Sequence, residues 1–108
     1  MWLYTKDGFY SVVHDQYCKT DEVMIRARKR IDLENLSKHN IKGEIIKIDH
    51  ADYRYRMPVK RQSWSSYLSA YTENLEYSNF KNTLSHKDKS RHDAYFKCWD
   101  AMYTFQNS

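Results

Sequence analysis

Residues that break regular structure are scarce in this sequence. Glycine occurs twice and proline once in 108 residues, far below average usage of about 7% and about 5%. That scarcity argues against long flexible linkers. It also excludes a glycine-rich loop that cradles phosphate: no Walker loop, Gly-x-Gly-x-x-Gly or Gly-x-Ser-x-Gly is present. Two cysteines are too few for a disulfide scaffold. Cys18 falls in a polar turn and Cys98 in an amphipathic run, which suits two free thiols in a reducing compartment. No Cys-x-x-Cys or His-x-x-x-His occurs, so the scattered histidines (His14, His39, His50, His86, His92) define no metal site. No metal and no cofactor is expected; the nearest candidate, His86-Lys87-Asp88 with His92-Asp93, reads as a charged loop. No apolar run approaches the roughly 20 residues that a bilayer span needs, so no membrane association is expected. The opening MWLYTKDGFY lacks a basic segment followed by an apolar one, so no signal peptide is expected and the setting is cytoplasmic.

What is present is aromatic and mildly basic. Ten tyrosines, four phenylalanines and three tryptophans exclude an ordinary disordered chain, which cannot bury enough apolar surface. Lys plus Arg exceeds Asp plus Glu by 18 − 14, a net charge of +4. The length suits a single domain over residues 1–108.

The patterning predicts an α+β fold. Trp2–Thr5 and Phe9–Val13 are aromatic and β-branched and flank Asp7-Gly8, a strong hairpin signal because glycine takes positive φ freely. Glu22–Arg28 alternates, with Val23, Ile25 and Ala27 on one side and Met24, Arg26 and Arg28 on the other. A helix follows over about 29–39, with Ile31, Leu33 and Leu36 apolar, Asp32 and Glu34 in its first turns, and Asn40 as a left-handed stop. Glu44–Ile48 reads as a strand. Tyr53–Lys60 alternates with Tyr53, Tyr55, Met57 and Val59 on one face and Arg54, Arg56, Pro58 and Lys60 on the other. Pro58 cannot donate to a ladder and marks an edge or strand end.

Beyond Lys60 the periodicity turns helical. Ser63 is an N-cap candidate, and Trp64, Tyr67, Leu68, Tyr71 and Leu75 recur at three- and four-residue steps. A short turn is expected over 80–84, then a helix over 91–105 with Tyr95, Trp99, Met102 and Tyr103 at core spacing. Trp64 and Trp99 read as core anchors. The expected architecture is a mainly antiparallel four- to five-stranded sheet with two or three helices packed on one face, leaving the other face open to water or a partner.

Chemistry is sparse. Arg26 and Arg28 share a face of one strand, Arg54 and Arg56 a face of another. Same-face neighbours along a strand stand roughly 7 Å apart, close to phosphate spacing along nucleic acid. If both strands join one sheet, the four guanidiniums converge on a surface for nucleic acid or another phosphorylated ligand, with Tyr4, Tyr10 or Tyr17 available for stacking. The alternative is a solvated face in which Glu22, Glu44, Asp49 and Asp52 neutralise those arginines. A second constellation, Asp49-His50-Ala51-Asp52, sets a histidine among carboxylates. Such a group suits general acid–base catalysis in a small metal-independent hydrolase or nuclease, with His50 and Asp52 as catalytic candidates. Exposed Tyr and Trp would instead suit a protein–protein interaction or inhibitor module, including a homodimer.

The runs Gly8-Phe9-Tyr10-Ser11, Arg26-Ala27-Arg28, Ala51-Asp52-Tyr53-Arg54-Tyr55-Arg56 and Asn79-Phe80-Lys81 resemble an uncharacterised family of short bacterial proteins about the length of this chain. The resemblance covers most of the sequence. It implies a stand-alone cytoplasmic protein and carries over no functional residues. Small phage-borne inhibitors of bacterial defence share this size, with no motif in common.

Overall fold

A computed structural model describes all 108 residues. The Asp7-Gly8 turn joins β1 (Trp2–Tyr4) to β2 (Phe9–Val13), and Thr5 and Gly8 exchange backbone hydrogen bonds across it. The turn exists as expected, but for a different reason. Gly8 does not have positive φ; its missing side chain matters because the carboxylate of Asp32 occupies that space.

The elements follow in the expected order: β3 (Glu22–Ala27), α1 (Arg30–Ser37), β4 (Ile46–Lys47), β5 (Tyr55–Lys60), α2 (Arg61–Glu73), a 3-10 turn (Phe80–Thr83) and α3 (Lys89–Gln106). The fold is α+β, with a five-stranded, wholly antiparallel sheet in the order β1-β2-β3-β5-β4. The chain forms two compact units, Met1–Leu75 and Glu76–Ser108.

In the first unit, Tyr10, Val12, Val23, Ile25, Ala27, Met57 and Val59 point to one side of the sheet. There they meet Leu33 and Leu36 of α1 and Trp64 and Tyr67 of α2. Each buried aliphatic side chain contributes about 1.5–3 kcal/mol of transfer free energy, so this layer dominates the stability of the unit. Asn40 ends the α1 region in the left-handed conformation, φ 62°. Helix α2 starts three residues earlier than its polar signal suggests: Lys60 is the N-cap, with no side-chain cap bond, and Ser63 lies inside the helix. Pro58 is tolerated because β4 is only two residues long and pairs with Tyr55 and Arg56 alone. Beyond them β5 has a free edge.

In the second unit, Asp88 caps α3 by accepting the Arg91 N–H at 3.1 Å. Tyr95 stacks on Phe80 at 5.9 Å, and both Tyr95 and Leu84 are buried. Trp99, Met102 and Tyr103, expected in a core, are instead 51%, 63% and 52% exposed. Helical spacing shows that these residues share a face, not that anything covers it. No helix in the chain is long and apolar enough to cross a membrane. Neither Cys18 nor Cys98 is in a disulfide.

Candidate anion-binding face

The helices of the first unit leave the other side of its sheet uncovered by their core. On that side Arg26 of β3 pairs directly with Arg56 of β5. Two like charges directly opposite on antiparallel strands repel, so what surrounds them decides whether the pair is a neutralised structural feature or a net positive site. No carboxylate answers either one, and none of Arg26, Arg28, Arg54 and Arg56 forms an ion pair.

The partners are neutral oxygens and one aromatic ring. Arg26 donates from Nη2 to the Ser11 hydroxyl at 2.7 Å. Arg28 donates from Nη1 to the carbonyl of Asp52 at 2.8 Å, and Arg56 from Nη2 to the carbonyl of Tyr53 at 3.4 Å. The Tyr53 ring lies beneath two guanidiniums, with Arg26 Cζ 4.7 Å and Arg28 Cζ 4.3 Å from its centroid. Cation–π contact stabilises each cation without cancelling its charge. The Nε–H groups of Arg26 and Arg56 are buried and have no acceptor. These side chains are held in place while their positive charge stays uncompensated.

The structure thus gathers three of the four arginines around Tyr53. Arg54 is not part of the group. The β3–β5 ladder ends at Ala27 opposite Tyr55; Arg54 precedes it, is exposed, and makes no side-chain hydrogen bond or ion pair. The acids expected to neutralise the face are occupied elsewhere or unpaired with it. Asp49 pairs with Lys47 at 3.3 Å, Glu22 accepts the Lys19 N–H, and the Asp52 carboxylate accepts the Tyr53 N–H.

Two assignments of aromatic residues change. Tyr53 does not belong with Tyr55, Met57 and Val59: strand alternation begins only at Tyr55, so the ring at 53 is free to turn toward the arginines. Tyr10 is unavailable for stacking, because it is fully buried and donates its hydroxyl to the Asp32 carbonyl at 2.8 Å. Tyr17 is exposed in a turn. Tyr4 does lie on the arginine side, stacked on Phe9 at 4.4 Å. Ser11 and Phe9 escaped the sequence reading. The signal that finds them is the β2–β3 register, which sets Ser11 opposite Arg26.

The acid–base constellation is loosely arranged. His50 is exposed and makes no side-chain hydrogen bond or ion pair, so none joins it to Asp52. His14 is tied to the carbonyl of Glu22 at 2.9 Å. In the second unit, His86 and His92 stack at 6.4 Å beside an open cleft of about 440 Å³ lined also by Lys81, Lys89, Asp93 and Phe96. There Asp93 pairs with Lys97, and Asp88 serves as the α3 cap.

No family model, curated protein or solved structure matches this chain.

Proposed function

We propose that the first unit binds a negatively charged, phosphate-bearing ligand, nucleic acid foremost, on the sheet face that carries Arg26, Arg28 and Arg56, with Arg54 at its margin. The observation that carries this reading is the Arg26–Arg56 pair: two cations opposed on adjacent strands, bonded only to neutral oxygens. Guanidiniums offer planar forked donors that suit phosphate oxygens. A bound polyanion would remove the repulsion that the fold leaves in place.

The test is nucleic-acid binding measured against salt. Each phosphate neutralised contributes about −0.9 to the slope of log K on log salt for duplex and about −0.7 for a single strand. Arg26→Ala with Arg56→Ala is expected to lower affinity and to flatten that slope by one to two contacts. Unchanged affinity and slope would remove the reading.

A second reading, contact with another protein or a second copy of this chain, is favoured by α3. Phe96, Trp99, Met102 and Tyr103 are about half exposed or more, and Trp99 stacks on Tyr103 at 5.3 Å. Aromatic residues of this kind dominate binding energy at interfaces. Mass measured in solution for the parent and Trp99→Glu tests it: a doubled mass that the substitution halves supports self-association.

A further inference from the structure

The row of paired residues that holds Arg26 and Arg56 extends beyond them. Trp2 pairs with Ser11, Ser11 with Arg26, Arg26 with Arg56, and Arg56 with Ile46. One line of side chains on a single face therefore crosses all five strands, interrupted at Ser11, which is fully buried between the exposed Trp2 and the partly exposed Arg26 and Arg56. Strands lie about 4.8 Å apart, so four steps give a line roughly 19 Å long.

The β1–β2 end of that face is aromatic. Trp2 is 71% exposed; its ring stands edge-on to Phe9 at 6.3 Å, and Phe9 is stacked on Tyr4. Tyr53, 6.3 Å from Phe9 and only 4% exposed, is no stacking surface itself; it is the buried ring on which Arg26 and Arg28 rest, and it joins the aromatic end of the face to the cations. Flat rings thus lead to cations that form no ion pair.

We infer that this face binds single-stranded nucleic acid, with bases stacked on Trp2 and the Tyr4–Phe9 pair and phosphates held by Arg26, Arg28 and Arg56. The inference rests on the arginine-face reading above and narrows its ligand. Two arguments separate a single strand from a duplex. A duplex keeps its bases stacked on each other, so the exposed Trp2 ring would have no base to meet. The major groove is about 12 Å wide and admits a helix or a two-stranded ribbon, whereas this row is roughly 19 Å across. A single strand can use both halves of the face, because every unpaired base offers a ring and every linkage a phosphate.

The experiment compares fluorescence anisotropy of labelled oligothymidylate, of about 12 nucleotides, with that of a duplex of equal length and with a uridine oligomer. The parent protein is expected to bind either single strand at least tenfold tighter than the duplex. One stacked base contributes about 1–3 kcal/mol, so Trp2→Ala should weaken single-strand binding by about 5- to 150-fold and leave duplex binding unchanged, while Trp2→Phe restores most of the loss. The exposure of Trp2 makes these variants safe for folding, which circular dichroism checks. Equal affinity for duplex and single strand, or no effect of Trp2→Ala, overturns the stacking inference and leaves the arginine reading intact provided that Arg26→Ala with Arg56→Ala still weakens binding. Absence of binding to all three probes at about 50 mM salt overturns both.

Discussion

The carboxylate of Asp32 in α1 accepts the Phe9 N–H at 3.0 Å and fills the space where a side chain on residue 8 would lie. A Cβ on Gly8 would meet Asp32 Cγ at 2.4 Å and Cβ at 2.6 Å. Asp32 is only 2% exposed and has no room to withdraw. Gly8→Ala is therefore expected to destabilise the first unit by about 1–3 kcal/mol, the usual cost of overpacking. A lower urea midpoint with an unchanged slope would show it. An unaltered midpoint would mean that the α1 contact is looser than described.

The Arg26–Arg56 pair predicts opposite effects on stability and binding. Arg56→Glu places a carboxylate opposite Arg26 on the adjacent strand. Opposite charges in such a position contribute roughly 0.2–1 kcal/mol, while like charges destabilise. The variant should melt at a higher temperature than the parent and bind polyanions less well. Thermal denaturation and a heparin column elution profile read the two effects separately.

Tyr67 donates its hydroxyl to Asp7 Oδ2 at 2.8 Å and lies 3.3 Å from the Thr5 hydroxyl. Burial pushes this phenol far above its ordinary value of 10.0, and the Asp7 carboxylate adds to the rise against the opposing Thr5 bond. An ionisable group raised in the folded state is matched to its unfolded counterpart below pH about 10. Its stabilisation is therefore complete there and is lost as pH rises from the unfolded value toward the folded one. Tyr67→Phe should cost about 1–3 kcal/mol near neutrality, because Asp7 loses a donor, and should reduce the alkaline decline. Urea melts taken on both sides of pH 10 compare the two proteins.

At the start of α3 the direction is reversed. Partial burial pushes the Asp88 carboxyl up, but the backbone N–H, guanidinium and charge of Arg91 outweigh it and hold the group below its ordinary 3.8. A lowered carboxyl stabilises above the unfolded value and loses that contribution as pH falls through the folded one. The first turn of α3 should fray below about pH 4. Amide chemical shifts of residues 89–92 followed into acid would report it, and Asp88→Asn should remove that transition.

The three tryptophans differ in solvent access: Trp2 and Trp99 are 71% and 51% exposed, Trp64 only 5%. Iodide is expected to quench two of the three emissions. Trp99→Phe should remove a quenchable component and Trp64→Phe a protected one. A protected Trp99 at high protein concentration alone would identify its face as the self-association surface.

The hairpin, the alternation of Val23–Ile25–Ala27 and the helical runs were legible because each is a local pattern read against a fixed period. That was enough to define the order of elements and the side of β3 on which Arg26 stands. The position of Tyr53 was not legible, because alternation holds only while a residue is in the ladder and the sequence does not mark where the ladder begins. The exposure of Trp99 is illegible for a related reason: helical spacing defines a face but carries no information about what covers it.

Composition and periodicity by themselves determined the α+β class, the mild positive charge and the identity of the arginine-bearing strands, since these depend on residue type and on neighbours a few positions away. Tertiary structure alone decided that Arg26 faces Arg56, that Trp2 and Phe9 share their surface, and that no carboxylate answers them. Those facts depend on strand order and register across residues far apart in the chain, which long-range pairing sets and no local pattern encodes.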